Sequence, residues 1–215
     1  MKTPLKKGSF RNFFINYGYL FLIVPFLSYL LWYYPLNSIN EVRSDEQINF
    51  FITGYTFNDD SLENDIHSLL KNDGCYEVNI HCYSPKDNYL VSYYERFGEE
   101  SDFIFLYESD LNEMFKDALE GVTSSFLPWS NKIKEDAKCM ENDVFYNVNG
   151  LDYAFEIYNP NGSRLSQIEN FVSFEDSEPV YMLLNSKTPN WGDYLSSSLT
   201  QNAKKCLPFF IERYR

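Results

Sequence analysis

Gln47-Ile48-Asn49-Phe50-Phe51-Ile52-Thr53-Gly54-Tyr55 is the stretch whose reading decides the fold. It is short, uncharged, rich in aromatic and β-branched residues, and closed by a glycine, which reads as a mostly buried strand. The period then changes. Leu62, Ile66, Leu69 and Leu70 recur at helical spacing, with N-cap candidates in Asn58-Asp59-Asp60-Ser61 before them and Asn72-Asp73-Gly74 after them. The alternation repeats twice. Tyr76-Glu77-Val78-Asn79-Ile80-His81-Cys82-Tyr83 reads as a strand, and Asp87 caps a helix that runs through Phe97 and stops at Gly98. Asp102-Phe103-Ile104-Phe105-Leu106-Tyr107 is the third strand, followed by a helix from Ser109 to near Gly121 with a core stripe of Leu111, Met114, Phe115, Ala118 and Leu119. Strands alternating with helices in this way imply right-handed βαβ units and a parallel sheet covered on both faces.

Beyond Gly121 the signals are more local. Phe126-Leu127-Pro128-Trp129 reads as a loop and Asn131–Met140 as a short amphipathic helix. Asn149-Gly150, between Phe145-Tyr146-Asn147-Val148 and Leu151–Tyr158, is the strongest two-residue hairpin signal in the chain. Leu165–Phe171 reads as a short helix and Pro179–Asn185 as a last strand. The chain closes on an amphipathic helix carrying Leu199, Ala203, Cys206, Leu207, Phe210 and Ile211, interrupted by Pro208.

Upstream of the quoted stretch, no charged residue occurs from Asn12 to Asn40. Phe13–Trp32 is long enough, at about 1.5 Å per residue, to cross a hydrocarbon core of roughly 30 Å. Trp32, Tyr33 and Tyr34 stand where an interfacial aromatic belt would lie, and Pro35 reads as the stop. The expected organisation is a basic N-terminus (residues 1–12), a transmembrane helix (13–35), a linker (36–45) and an α/β domain (46–215). A cleaved signal peptide would need a shorter apolar region and small residues at its end. Leu-Trp-Tyr-Tyr-Pro-Leu offers none, and no lipoprotein cysteine lies near.

Charge divides at the same place. The chain carries 18 basic and 31 acidic residues, a net −13, yet Met1–Arg43 holds Lys2, Lys6, Lys7, Arg11 and Arg43 against Glu41 alone. That segment is therefore +4 and the remainder −17. Positive charge before the apolar run places the N-terminus in the cytoplasm and the acidic domain outside. An acidic domain repels phosphate backbones, which argues against nucleic acid as a partner. The 44% apolar and 19% aromatic content argues against a disordered acidic tail.

Motifs for chemistry are sparse. Cys75, Cys82, Cys139 and Cys206 permit two disulfides in three pairings but lack C-x-x-C spacing, and free buried thiols are the simpler reading. His67 and His81 have no partner at metal-ligand spacing. No G-x-S-x-G elbow and no glycine-rich phosphate loop is present. Glu99-Glu100-Ser101-Asp102 and Glu175-Asp176-Ser177-Glu178 lack the alternation and central glycine of a calcium loop and read as solvated loop charge. The expectation is a chain that is not an enzyme, with no cofactor, no metal and no catalytic residue.

Aromatic residues are the remaining resource. With 18 tyrosines and 19 phenylalanines, more than a core of this size should need, some are expected to face solvent or ligand. Codon bias of an AT-rich genome would inflate the same residues. In open α/β sheets, ligands bind beyond the carboxyl ends of the strands. Tyr55, Tyr83 and Glu108 lie at those ends and, with Trp129 and Tyr153, are the candidate ligand-binding residues.

The order of the pieces resembles an extracellular solute-binding protein of the ABC-importer type. The likeness begins at Gln47–Ile52, continues through Ser101–Leu106 and the hairpin Phe145–Tyr158, and reaches Tyr181-Met182-Leu183-Leu184-Asn185-Ser186-Lys187. The resemblance implies one lobe of a periplasmic-binding-protein-like fold, a three-layer α/β arrangement on a parallel or mixed sheet. It also implies non-covalent recognition of a sugar, amino acid or peptide, with importer permease subunits and the membrane as partners. Two features differ from the family. The chain keeps its apolar helix in place of a cleaved leader, and it leaves little length after Lys187 for a second lobe. The rival reading is a cell-envelope interaction protein that docks a membrane partner and binds no small ligand; an extracellular hydrolase is a third.

Overall fold

The quoted stretch forms β1, Gln47–Thr53, in which every residue from Ile48 onward is buried. In the computed structural model, which describes residues 18–40, 42–56, 59–83, 98–116, 123–162, 167–174 and 178–214, the chain forms two compact units, Met1–Glu41 and Val42–Arg215. In the second unit β1 joins β3 (Glu77–Tyr83), β4 (Phe103–Tyr107), β5 (Phe145–Val148), β6 (Leu151–Tyr158) and β8 (Val180–Leu184) in one sheet of order β3-β1-β4-β8-β6-β5. β1 pairs parallel with both β3 and β4, as the strand–helix alternation predicts. β8 runs antiparallel between β4 and β6, and β5 pairs antiparallel with β6, so the sheet is mixed. The parallel arrangement read from the strand–helix alternation holds for the βαβ half, and the mixed alternative holds for the sheet as a whole. The strand that the resemblance assigns to a second lobe, Val180–Leu184, instead lies in the middle of the single sheet.

Alternation along the strands divides the core into two layers, because successive side chains point to opposite faces. Ile48, Phe50, Ile52, Phe103 and Phe105 face α2 (Asp59–Leu70) and α5 (Asn202–Tyr214), meeting Leu62, Ile66 and Leu70 from one and Ala203, Cys206 and Leu207 from the other. Phe51, Ile104 and Leu106 face α3 (Glu108–Lys116), meeting Leu111 and Phe115. Both layers are dense in rings. Phe50 stacks on Phe103 at 4.9 Å, and Trp191 meets Phe103 edge-on at 5.3 Å. Among the described residues sixteen aromatics are buried, so a two-sided core absorbs far more of them than composition alone suggests. The predicted helix Asp87–Phe97, and the continuation of the third helix beyond Lys116, lie outside the described residues.

The turns obey their sequence. Asn149 and Gly150, both at positive φ (51° and 85°), close the β5–β6 hairpin. α4, Asn131–Asp136, is capped by Ser130 and ends four residues earlier than its amphipathic pattern predicts. The expected helix Leu165–Phe171 is a 3-10 turn, Gln167–Asn170. Gly54 separates β1 from β2 (Tyr55–Thr56), which pairs antiparallel with β7 (Val172–Ser173) in a second small sheet. The closing helix α5 runs through Pro208 rather than breaking there. All four cysteines are free thiols; Cys75 and Cys206 are buried, and burial pushes both thiols upward.

The first unit contains α1, Leu20–Asn40, so the helix passes through Pro25 and Pro35 and ends beyond the predicted stop. A proline removes one donor and its local bond, a loss a long helix survives when neighbouring bonds persist. Residues 36–40 are accordingly helix, not linker. Leu22, Ile23, Val24, Phe26, Leu27, Leu31 and Trp32 are exposed, and at 100° per residue these positions surround the helix. Among the described residues no helix is long and apolar enough to cross a membrane. The described side chains of α1 run only from Leu22 to Tyr33 without a break, about 18 Å of helix.

Candidate functional site

Because β1 and β4 are parallel, their carboxyl ends lie on the same edge of the sheet, and β4 passes there directly into α3. Glu108, the first residue of α3, donates its N–H to the Pro179 carbonyl at 3.0 Å, which joins this end of β4 to the start of β8. Glu178 then accepts from the Ser109 N–H (2.7 Å) and the Ser109 hydroxyl (2.8 Å). A carboxylate at a helix N-terminus satisfies unpaired donors and complements the helix dipole. Asp110, one residue on, is pushed up to about 6, first by burial and then by Glu178 and Glu113.

Two tyrosines extend this acidic corner across the antiparallel half of the sheet. Tyr181 of β8 lies between Leu106 of β4 and Glu156 of β6, and its hydroxyl donates to Glu156 Oε2 at 3.4 Å. Tyr146 of β5 donates to Asn112 Oδ1 at 2.7 Å, and its ring meets the Tyr181 ring edge-on at 5.7 Å. Burial, followed by Glu156 and Glu108, raises the Tyr181 hydroxyl well above its ordinary value. Burial and then Glu108 do the same for Tyr146. Both phenols stay protonated near neutral pH and spend that proton inside the cluster, which therefore presents hydroxyl oxygens and carboxylates as acceptors. That combination suits hydrogen bonding to a polar solute.

Of the four expected residues whose side chains are described, Glu108 alone belongs to this cluster. Tyr83 stacks on Phe51 at 5.7 Å and Tyr153 packs on Phe115 at 5.8 Å, both inside the α3-facing core. Trp129 is buried in the opposite layer, between Phe145 and Phe155. Tyr55 contributes backbone to β2, and its side chain lies outside the described set. The rings that a ligand was expected to stack on are packing residues, since a sheet covered on both faces needs that volume. Sequence reading missed Tyr146, Tyr181, Glu156 and Glu178. Glu156 carried the available signal, a carboxylate in the middle of the apolar run Ala154-Phe155-Glu156-Ile157.

A second polar concentration lies at the amino end of β1 and β4; Glu99 and Glu100 are exposed, as a solvated-charge reading expects, but the reading is corrected at Asp102. Ser101 and Asp102 are fully buried. Asp102 accepts from the Asn49 N–H and from Asn190 Nδ2, each at 3.0 Å, and burial pushes its carboxyl up to about 6 although Thr188, Asn49 and Asn190 pull it down. Asn190 also donates to the Gln47 carbonyl at 3.0 Å and accepts from the Thr200 hydroxyl at 2.7 Å. Asn185 donates to the carbonyls of Ser101 (2.9 Å) and Glu99 (3.0 Å), while Trp191 Nε1 donates to the Asn185 carbonyl. These amides bond backbone and one another, a pattern that ties β1, β4 and β8 together. Its chemistry is structural.

No group of three or more histidine, cysteine or acidic side chains placed to hold a metal occurs among the described residues. The chain matches no family model, no curated protein and no solved structure.

Proposed function

We propose that the chain is a membrane-anchored α/β protein whose extracellular domain recognises a small polar solute non-covalently, in the manner that its resemblance to importer solute-binding proteins implies. The observation that carries the reading is the cluster of Glu108, Glu156, Tyr146 and Tyr181 at the carboxyl edge of β4, where protonated hydroxyls and carboxylates converge. Supporting the anchor, α1 is apolar around its circumference, and the +4 segment precedes the −17 domain. A sugar, amino acid or peptide, each with O–H or N–H groups to donate, fits that acceptor set, and importer permease subunits are the natural partners.

Two measurements test this. Full-length protein in detergent micelles, screened by thermal shift against sugars, amino acids and short peptides, should be stabilised by at least one class. Glu108→Ala and Tyr181→Phe should each abolish that shift while leaving the unliganded midpoint within a few degrees. No shift across the panel overturns the solute reading. Separately, the chain should stay with membranes through an alkaline carbonate wash, and release of the full-length protein would sink the anchor. The rival, an envelope protein that docks a partner, draws support from the outer edge of β5.

A further inference from the structure

β5 is the last strand of its sheet, and among the described residues no strand pairs with its outer edge. An unpaired edge presents backbone donors and acceptors that another chain can extend. Four residues, with a register shift between Tyr146 and Asn147, are a short template. Backbone bonding alone would make a weak complex.

The surface beside that edge supplies more. Phe145, the first residue of β5, lines a hollow of about 360 Å³ together with Cys139 and Met140, and Glu135, Glu141 and Asp143 line the same hollow. That volume is at the low end of binding pockets and about half apolar in its lining, which suits one apolar side chain. Met140 is more than half exposed, and Val144, beside Phe145, is nearly so. Behind Phe145 stands Trp129, whose buried indole N–H has no hydrogen-bond partner among the described residues.

Charge selects the occupant. Lys134, which lines the hollow, is held by Asp152 Oδ2 at 2.5 Å and lies 4.1 Å over the Phe145 ring. Its charge is thus matched already, and Glu135 and Glu141 add carboxylates to the hollow in an acidic domain. We infer that the outer edge of β5 and this hollow form a docking site for an extended, basic peptide segment of a protein partner. The segment adds as a strand beside Phe145–Val148, places one apolar side chain against Phe145 and Met140, and sets lysine or arginine against Glu135 and Glu141. The site shares Tyr146 of β5 with the solute cluster but uses the strand's backbone edge and Phe145, and its test reads a peptide and not a solute, so either can fail without the other.

The test uses full-length protein in zwitterionic micelles and a labelled, end-blocked octapeptide of alternating lysine and valine, followed by fluorescence anisotropy against empty micelles. Binding in the micromolar range is expected, with slowed amide exchange at Phe145–Val148. Glu135→Lys with Glu141→Lys should weaken it at least tenfold, and Met140→Glu should spoil the apolar contact. Methylating alternate backbone nitrogens of the peptide leaves its charge intact and should abolish binding. If the parent peptide does not bind, or the methylated one binds equally well, the inference is overturned. The second outcome would mean adsorption by charge alone. The peptide arms decide the matter even if a protein variant fails to fold.

Discussion

Replacing Asp102 with alanine is expected to lower the stability of the domain by about 3 kcal/mol at pH 7, measured by urea unfolding of the full chain in micelles. The substitution leaves the buried Asn49 N–H without its acceptor and takes one acceptor from the Asn190 amide, which keeps the Gln47 and Ser44 carbonyls. Each buried donor stranded in this way costs about 1–3 kcal/mol, partly offset here because a buried charge is removed as well. Asp102→Asn separates the two effects. It keeps the shape, but one face of the new amide confronts a donor, so part of the loss should persist.

The pH profile gives a sharper signature. Asp102 has a folded-state value of about 6, raised above that of an unfolded aspartate, so the native state binds the extra proton between about pH 4 and 6. Its contribution therefore favours folding at the acid end of that window and is lost as pH rises through about 6. Asp110 acts in the same direction. Asp193, held low by Lys132 and Lys204, and Asp136, held low by Tyr194 and Lys204, act oppositely and lose their benefit as pH falls below the usual carboxylate range. Stability should peak near pH 4, where the raised carboxyls still hold their protons and the lowered ones are still ionised. In Asp102→Asn the decline from about pH 4 to 6 should flatten, and an unchanged decline would contradict the assignment.

Gly54→Val is expected to be the most damaging single replacement, costing about 4 kcal/mol in the same unfolding experiment. The position has φ of +135°, a conformation that side chains on L-residues rarely adopt. A Cβ there would meet the Ser173 carbonyl oxygen and Val172 Cγ1 at 3.0 Å, and Phe174 at 3.3 Å. One of these is backbone of β7 and the other two are buried side chains, so the contact has no flexible tip to give way. The pairing of β2 with β7 should loosen first, seen as faster amide exchange at Val172 and Ser173. Gly54→Ala should do the same with a smaller loss, because alanine keeps the strain and sheds the branching. Wild-type stability in either variant would show that φ at residue 54 relaxes freely.

Several elements are legible because their determinants are local. Leu62, Ile66 and Leu70 recur on one helical face whatever surrounds them, and Asn149-Gly150 takes the positive φ angles of a tight hairpin because those two residues adopt them readily. Gly54 ends β1 for the same kind of reason. The buried strand Gln47–Thr53 is legible from its length and lack of charge, and from it follow the parallel β3-β1-β4 half and its helices. The apolar, charge-free run before it is equally plain, although Pro35 does not mark its end.

What needed the tertiary structure involves residues far apart in the chain. Asp102 reads as a loop charge beside Glu99 and Glu100 until Asn190, 88 positions away, brings it a buried hydrogen bond. Tyr83, Trp129 and Tyr153 resemble ligand platforms until both faces of the sheet are covered and each ring is enclosed. Glu178 and Ser109 meet across 69 positions, and only that meeting caps α3 and builds the acidic corner around Glu108. The sequence by itself determined the periodicity, the tight turns and the +4/−17 division of charge, because these depend on near neighbours. Only the tertiary structure decided that β8 enters the middle of the sheet, which carboxylates are buried, and which aromatics are core, because burial depends on what the rest of the chain places beside a residue.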